Sequence, residues 1–546
     1  MLRAVAVACL ALALSGLRLS AHTFSDEENA TAYRLIVSHD QQALFVPAWV
    51  VAEDKNLDGD TIVKMIEETV DAHADAKVDV LVQCVFARFS TGMPNCQSAQ
   101  TWRPTEELFP RPATDFVWNA LEKLDGRDRI RIALNQCRKR DIKFVAGLRM
   151  NDRHRITKCV QRMYDQHPEW RLEDVVGALS ERVGALDFKY DGVRERLLVF
   201  ISEFLGAYDV DGMEFDYMRM CHMFRPNEAK QHAHFLTDLM RKSRAALDST
   251  ARDRKRGRLL LGIRVPASLQ ECRDLGFDIK TWGDEGLVDY ITPSDFWSTD
   301  FATRTEEFTR LTAGTSCQVY PSVSPTASYP SGDSYLKPAH YRAAAKNFYA
   351  FGADGVSAYN YFWTWAATHN GRQAGLGNMW PTGSLLHLTQ LKQIETITAS
   401  ERSYLCYPLW SGRCPTGAIK NDRIVINRKH PNQESRSRFR MAENLAQSKL
   451  ATTLEFKTTG LHKDDTLAIT LNGRAIANDQ IERRFDSDGQ TSREGLPLPA
   501  FFLYSIKLRP NQTVFGDTRL GARLTNSNGS TDVAIQEIEV TVAPMQ

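Results

Sequence analysis

Short apolar runs of β character alternate with amphipathic helical patterns from about residue 33 to about residue 395. Helical patterns such as Gly59–Ala74, Phe116–Arg140, Asn227–Leu247 and Pro338–Phe351 repeat apolar residues every three or four positions. Such alternation is typical of parallel sheets whose strands are joined by helices. The predicted strands are Leu35–Ser38, Val78–Phe86, Lys143–Leu148, Val210–Phe215, Leu259–Val265, Tyr290–Thr292, Gln318–Val323 and Gly355–Tyr361.

Eight β/α units in one continuous stretch favour a (β/α)8 TIM barrel, a fold that spans from ~200 to over 400 residues. The alternative α/β fold is a doubly wound sheet. That fold is disfavoured because no glycine-rich phosphate turn follows the first predicted strand. We therefore predict a barrel over residues 30–395.

The pattern changes after Glu395. Short alternating runs, separated by Gly, Asn, Asp and Pro, replace the long helical patterns, and Asn472-Gly473 is a typical two-residue hairpin turn. We predict an all-β sandwich over residues 416–546, joined to the barrel by a linker over residues 396–415. Cys406 and Cys414 in that linker are the first candidates for a disulfide bond, and Cys84 and Cys96 are the second.

The first 21 residues have the pattern of a secretory signal peptide. Arg3 precedes an apolar run, and Leu19-Ser20-Ala21 fits a cleavage site after Ala21. No later segment has the roughly 20 apolar residues that a membrane-spanning helix needs. A net charge of +1, with 25% charged residues, gives no support to nucleic-acid binding. We expect an exported protein without a membrane span.

The fourth predicted strand carries acids where a barrel places its chemistry. Glu214 and Asp216 are two residues apart, so their side chains point to the same side of the strand, near its carboxyl end. Buried carboxylates are costly unless they are paired, metal-bound or used in catalysis. The alternative to a catalytic role is a structural network in which one acid holds a loop and the other an arginine.

Other strand ends add polar and aromatic residues suited to binding a polyol. Aromatic rings cover the C–H faces of sugars, and polar groups bind their hydroxyls. Arginines there hint at an anionic sugar, although they can equally pair with the acids. The predicted substrate-binding residues are Arg149, Asp152, His154, Arg219, Arg264, Trp297, Tyr359, Asn360 and Trp363.

These motifs resemble those of bacterial glycosyl-hydrolase-like barrel proteins. The resemblance rests on Asp-Gly-x-Glu-x-Asp at residues 211–216, on Met-Asn-Asp-x-His at 150–154 and on His-Pro-Glu-Trp at 167–170. It implies an exported barrel followed by a β-sandwich. The fourth-strand motif is also similar to that of chitinase-like glycosidases, in which Asp211, Glu214 and Asp216 match the acids, but Met218 stands in place of the catalytic Glu.

A further resemblance, to α-galactosidase-type barrels, implies a nucleophile on strand four and an acid/base on strand six. These would be Asp216 and Asp295. The leading interpretation is thus a glycoside hydrolase that uses Asp216, Glu214 and Asp295, with no cofactor and no metal. Glu214 is the rival for either catalytic role.

Two other hypotheses remain. The first is a metal-dependent enzyme, such as a deacetylase, lyase or phosphoesterase. The second is a catalytically silent glycan-binding protein, which the departure at Met218 makes credible. The ligands of the metal-dependent enzyme would be drawn from His39, Asp40, Asp152, His154, Asp216 and His222.

Overall fold

The computed structural model describes most of the chain from residue 34 onwards. The described residues are 34–39, 58–87, 89–101, 124, 126–152, 158–172, 185–295, 298–324, 326–329, 332–361, 385–406, 424–443, 445, 450–486 and 500–544. The predicted signal peptide therefore lies outside the described residues. No helix in the described part of the chain is both long and apolar enough to span a membrane.

Eight parallel strands within the described residues form the barrel, which confirms the fold class predicted from the sequence. Strand β7 has two pieces, of which the first pairs with β6 and the second with β8, so this strand closes the barrel. The strands are β1 (Leu35–His39), β2 (Val80–Ala87), β3 (Lys143–Arg149), β4 (Gly212–Asp216), β5 (Leu260–Pro266), β6 (Tyr290–Ser294), β7 (Gln318–Val319 and Ser322–Val323) and β8 (Val356–Tyr359).

Helices follow the strands and cover them with their apolar faces. Helix α5, for example, buries Leu236, Leu239, Met240 and Leu247, which recur at helical spacing on one face. The helices of the described residues are α1 (Gly59–Asp75), α2 (Arg129–Lys139), α3 (Lys158–Gln166), α4 (Asp191–Ala207), α5 (Ala229–Asp253), α6 (Leu269–Asp274), α7 (Ile279–Asp284), α8 (Thr305–Thr312), α9 (Pro338–Ala350) and α10 (Ile394–Ala399).

Helix α2 begins later than the predicted Phe116–Arg140 pattern. Asp128 caps its first turn, because its carboxylate accepts hydrogen bonds from the backbone N–H groups of Ile130 and Arg131, at 3.0 and 3.2 Å. Residues 116–123 lie outside the described part of the chain.

Four aspartates of the described residues join the strands in pairs at the amino-terminal end of the barrel. Each precedes an even-numbered strand, and its Oδ2 accepts the backbone N–H of the residue at the start of the preceding odd-numbered strand. In return, that residue's carbonyl accepts the backbone N–H of the aspartate. The pairs are Asp79 with Leu35 (2.9 Å), Asp211 with Phe144 (2.9 Å), Asp289 with Leu261 (2.7 Å) and Asp354 with Val319 (2.8 Å).

The C-terminal part contains two antiparallel sheets, as predicted for a sandwich. The first has the order β9-β18-β12-β16-β15, with β10 also pairing with β18, and the second has the order β11-β17-β13-β14. The strands are β9 (Arg402–Cys406), β10 (Ile424–Ile426), β11 (Ser435–Met441), β12 (Leu450–Thr459), β13 (Thr466–Leu471), β14 (Arg474–Ala475), β15 (Ile481–Asp486), β16 (Phe501–Lys507), β17 (Gly516–Asn526) and β18 (Val533–Pro544).

Two sequence predictions about this region have clear outcomes. The Asn472-Gly473 hairpin is confirmed, since both residues have positive φ, at 51° and 78°, and connect β13 to β14. Strand β9 lies within the segment predicted to be a linker, yet it pairs along its length with β18. This segment is drawn into the sheet because Tyr404 and Leu405 are buried there.

The disulfide predictions have different outcomes. Cys96 is a free thiol that donates to the Glu203 carboxylate at 3.5 Å, so a Cys84–Cys96 bridge is not formed. Cys414, the predicted partner of Cys406, lies outside the described residues.

Candidate active site

Three side chains form a charged layer near the carboxyl end of the barrel strands. The register aligns Arg149 of β3 with Asp216 of β4, and Asp216 with Arg264 of β5. Residues paired in this way on neighbouring parallel strands point to the same side of the sheet. Asp216 therefore lies between two arginines in the barrel interior, and it is only 7% exposed.

The Arg264 guanidinium is the central contact of Asp216. Its Nη1 lies 3.1 Å from Oδ1 and 3.3 Å from Oδ2 of the carboxylate. Asp216 Oδ1 also accepts the backbone N–H of Met218 at 2.8 Å. The other side of Arg264 donates to the Ser294 hydroxyl and to the Asp295 carbonyl. Arg264 thus connects the ends of strands β4 and β6.

Tyr359 of β8 completes this layer from across the barrel. The guanidinium carbon of Arg264 lies 3.7 Å from the centre of the Tyr359 ring, and Arg149 Nη2 donates to its hydroxyl at 3.3 Å. Burial opposes the charge on Arg264, but Asp216, Tyr359 and Glu214 outweigh it, so the pKa of Arg264 is raised. Tyr359 and the two arginines are therefore held in one arrangement around Asp216.

Glu214 lies one layer deeper, between two glycines. In the strand register it is aligned with Gly147 on one side and Gly262 on the other, and Gly262 is aligned with Tyr290. A Cβ atom on Gly262 would stand 2.0 Å from the Tyr290 ring. The glycine therefore leaves room for Tyr290 to reach Glu214, and the phenol donates to Oε2 at 3.1 Å.

This environment changes the acidity of Glu214. Burial and the negative charge of Asp216 raise the pKa of Glu214 to about 7, against lowering contributions from Arg264 and from hydrogen bonds to Tyr290 and Ser38. Glu214 is 1% exposed. A carboxyl group with this pKa holds a proton in mildly acidic solution, next to the ion pair of Asp216.

Two residues that follow β3 make different kinds of contact: Asp152 forms an ion pair, and Asn151 holds the backbone. Asp152 is predicted to bind substrate, and its carboxylate accepts Arg149 Nη1 at 3.1 Å. Asn151 instead ties the loop, because its amide nitrogen donates to the carbonyls of Leu186 and His222, at 2.9 and 2.8 Å. The cluster thus serves partly to hold the backbone.

Asp295 follows β6 directly and is 7% exposed. Its Oδ2 accepts the backbone N–H of Ser298 at 3.1 Å, and its carbonyl accepts Arg264 Nη2 at 2.9 Å. Through Arg264, this aspartate is connected to Asp216.

Of the remaining predicted site residues, the structure describes some and not others. Arg219 and His222 are buried after β4. Burial raises the pKa of Tyr359, and the charge of Arg219, like those of Arg149 and Arg264, opposes this rise. Asn360 is buried with φ of 51°, and its N–H donates to the Ser38 carbonyl at 2.8 Å. The residues outside the described part of the chain are Asp40, His154, Trp297 and Trp363.

One sequence interpretation is wrong in its placement. His39 alternates with the inward-facing Ser38, so it points towards the helices, where its Nε2 lies 2.7 Å from His73 Nε2. It cannot share a metal with residues inside the barrel. Asp211 matches an acid of the glycosidase motif by spacing, but it lies at the amino-terminal end of β4 and binds Phe144 and Arg256.

The sequence interpretation also missed Ser38, Gly147, Gly262 and Tyr290. The sequence does contain a signal for the two glycines, which is a shared Gly-x-Arg pattern on the strands that flank β4. It occurs as Gly147-Leu148-Arg149 on β3 and Gly262-Ile263-Arg264 on β5, on either side of Glu214-Phe215-Asp216. Glycine inside a strand often marks a close approach of neighbouring groups. Here it marks the space around Glu214.

No protein-family profile matches the sequence. A search of curated proteins also gives no match. Solved structures with a similar fold do exist. A GH36 α-galactosidase of Geobacillus stearothermophilus is similar over 87% of this chain and 56% of its own, with 12% identity and a TM-score of 0.37. An α-L-fucosidase isoenzyme 2 of Paenibacillus thiaminolyticus is similar over 67% and 49%, with 12% identity and a TM-score of 0.39.

A β-galactosidase of the psychrophilic Marinomonas ef1 is similar over 66% of this chain and 59% of its own, with 11% identity and a TM-score of 0.38. This chain spans about half the length of these structures, from 49% to 59%. At this identity and superposition, the likenesses do not bear on its activity.

Proposed function

We propose that this protein is a glycoside hydrolase whose reaction takes place at the carboxyl end of the barrel strands. The observation that carries this proposal is the position of Asp216. It is a buried carboxylate inside the barrel, aligned with Arg149 and Arg264 and faced by Tyr359. A carboxylate fixed at the carboxyl end of a barrel strand stands where this fold places a nucleophile or a general base.

Asp295 is the proposed proton donor. Glycoside hydrolysis needs one ionised carboxylate and one acid that protonates the leaving oxygen. Arg264 contacts the Asp216 carboxylate and the Asp295 carbonyl, so it fixes the relative positions of the two residues. This pairing follows the arrangement of strand-four and strand-six acids implied by the resemblance to α-galactosidase-type barrels.

Glu214 has a different proposed role. It is 1% exposed and lies beneath Asp216, with Tyr290 and Ser38 as hydrogen-bond partners. We propose that Glu214 acts on Asp216 electrostatically, because the protonation state of Glu214 determines how much negative charge lies beside Asp216 in the barrel interior. It thus acts through Asp216 and not by contact with a sugar.

Arg149 and Arg264 do not call for an anionic sugar by themselves. Arg149 is paired with Asp152 and Arg264 with Asp216. The charges of these two arginines are therefore balanced by acids of the protein itself. We propose that Arg149, Asp152, Arg219, Arg264, Tyr359 and Asn360 of the described residues shape the sugar site, together with His154, Trp297 and Trp363.

The test is a screen for turnover on neutral and acidic poly- and oligosaccharides. Products would be identified by mass, and the anomer released would be followed by NMR. Turnover that Asp216→Asn removes supports the proposal. Binding of a glycan without turnover would support the silent binding protein instead. Activity that is lost on chelation and restored by a divalent metal would support the metal-dependent enzyme.

We also propose export, with cleavage after Ala21, and a division into a barrel over residues 30–395 and a sandwich over 416–546 to which β9 of the predicted linker adds a strand. The grounds are the N-terminal sequence pattern and the change of pattern after Glu395. Mass spectrometry of the protein recovered outside the cytoplasm would test the cleavage site.

A further inference from the structure

The second sheet of the sandwich has an outward face that is rich in arginine. Strands β11 and β17 alternate, so that Phe439 and Leu520 point into the core while Arg438 and Arg519 point outward. Arg436 and Arg523 lie on the same outward face. We call these four arginines and the residues between them the arginine face.

The register of the strands places like charges opposite each other. Arg438 is directly paired with Arg519, and Arg523 is paired with the small Ala468. The side chains of Arg438, Arg519 and Arg523 make no hydrogen bond or ion pair with any residue that the structure describes. Like charges directly opposite on neighbouring strands are destabilising. The sheet therefore maintains a positive charge that its own described residues do not neutralise.

The acids of this face are already engaged. The Glu434 carboxylate accepts Arg436 Nε at 2.6 Å and the Thr470 hydroxyl at 2.5 Å. The Thr470 hydrogen bond and the charges of Arg436 and Arg523 hold the pKa of Glu434 below its usual value, against a raising effect of burial. Asp517 pairs with Arg304 of the barrel at 3.2 Å. These contacts leave the arginine face with a net positive charge.

A cavity of about 400 Å³ opens on this face. Its walls include Arg436, Arg519 and the Asn472-Gly473 turn, and Gly521 and Thr470 form part of its floor. Gly521 leaves room for the hydrogen bond between Thr470 and Glu434, since a Cβ there would stand 2.4 Å from both Glu434 Oε1 and Thr470 Oγ1. A cavity of this size holds a small ligand or one or two sugar units.

We propose that the arginine face binds an acidic glycan chain through its carboxylate or sulfate groups. Guanidinium groups match the geometry of such oxyanions, and a row of them on a flat sheet suits groups repeated along an extended polymer. No aromatic side chain is among the described residues that line the cavity. Single-stranded nucleic acids rely on aromatic stacking in addition to charge. Because the whole chain has a net charge of only +1, which gives no support to nucleic-acid binding, a glycan recognised through its acidic groups alone fits this face better. The site is separate from the barrel and does not depend on the reaction proposed there.

The experiment measures binding by the full-length protein, without any turnover. The probes are polygalacturonate, which carries only carboxylates, dextran sulfate, which carries only sulfates, and neutral dextran. Oligo(dT) serves as a nucleic acid of high negative charge. The variants are Arg519→Gln and Arg438→Gln. The control is Arg484→Gln, which removes the same charge from β15 of the other sheet, where its side chain is 66% exposed.

We expect one or both acidic polymers to bind and dextran not to bind. Arg519→Gln and Arg438→Gln should each weaken binding about tenfold, which corresponds to about 1.4 kcal/mol and is close to the loss of one hydrogen bond to a charged group. Arg484→Gln should leave the affinity within about twofold. The polymer that binds identifies carboxylate or sulfate as the recognised group. Thermal melting of Arg519→Gln should occur at or above the wild-type temperature, because the substitution relieves repulsion with Arg438.

Four results would overturn the proposal. One is no binding of either acidic polymer. Another is an equal loss of affinity in Arg484→Gln, which would mean that only overall charge matters. The third is binding of oligo(dT) with the same dependence on Arg519, which would assign the face to nucleic acid. A clear fall in the melting temperature of Arg519→Gln would also count against it, because the arginine would then have a structural partner.

Discussion

Arg264 contacts both carboxylate oxygens of Asp216, at 3.1 and 3.3 Å, and both side chains are buried inside the barrel. The same guanidinium lies over the ring of Tyr359 and donates to Ser294. These contacts and its burial hold the arginine in place. The pair of Asp216 and Arg264 is therefore held firmly at the carboxyl end of the barrel. Variants of these two residues can distinguish a structural role from a chemical one.

Asp216→Asn should abolish turnover while the protein remains folded. Asparagine keeps the shape and can still accept hydrogen bonds, but it cannot act as a nucleophile or base, so kcat should fall by several orders of magnitude, about 10³-fold or more. The measurement is steady-state kinetics on the best substrate of the screen, with circular dichroism to check folding. Asp211→Asn is the matched control, because it makes the same change at the other end of β4. Near-normal turnover by Asp216→Asn would contradict the assignment.

Arg264→Met should destabilise the protein strongly. Removal of one partner from a buried ion pair leaves the other charge unpaired, which costs about 3–5 kcal/mol. The double variant Asp216→Asn/Arg264→Met should lose less than the sum of the single losses, since no buried charge is left alone. Urea unfolding of the four proteins gives these energies. Arg241→Met, which breaks an exposed pair with Glu285, should have little effect. Additive losses would show that the pair is not coupled.

The pH dependence of stability should reveal the buried proton of Glu214. Its pKa is raised from 4.5 to about 7 by burial and by Asp216, so the folded state keeps a proton that the unfolded state releases. The stability of the wild type relative to Glu214→Gln should therefore fall between about pH 4.5 and pH 7, by about 3 kcal/mol in all, and stay level above that range.

Glu203→Gln is a control for which the change of stability with pH should have the opposite sign. Burial raises the pKa of Glu203, but hydrogen bonds from Ser98 and Gln97 outweigh this effect and lower it. Here the folded state releases the proton more readily, so the stability of the wild type relative to Glu203→Gln should rise with pH in the acidic range. Unfolding in urea at a series of pH values measures both variants. A flat difference for Glu214→Gln would show that its carboxyl group has an ordinary pKa.

Gly262→Ala should destabilise the barrel by about 1–3 kcal/mol or more, because the new methyl group would collide with the buried Tyr290 ring. It should also disturb the hydrogen bond between Tyr290 and Glu214. The control is Gly206→Ala in helix α4, where a Cβ has no atom within 4 Å. That substitution should stabilise the protein by about 0.5–1 kcal/mol through helix propensity. Equal effects of the two changes on the denaturation midpoint would contradict this account of Gly262.

The barrel was predictable because its strands are short, apolar and evenly separated by helices. The orientation of Glu214 and Asp216 also followed from the two-residue period of a strand. The partners of Glu214 did not follow, since Ser38 and Tyr290 approach it from other strands, and only the register of the closed barrel brings them together. Asp211 fits the spacing of the glycosidase motif, but the predicted strand Val210–Phe215 already places it at the amino-terminal end, where the structure also has it.

The aspartates at the amino-terminal end of the strands bear on how this protein could change over time. Asp79, Asp211, Asp289 and Asp354 hold the strands in pairs at the end of the barrel away from Asp216. The loops at the opposite end therefore do not have to keep the strands in register. Variation in those loops can then alter the proposed site at little cost in folding, while the opposite end of the barrel keeps its structure.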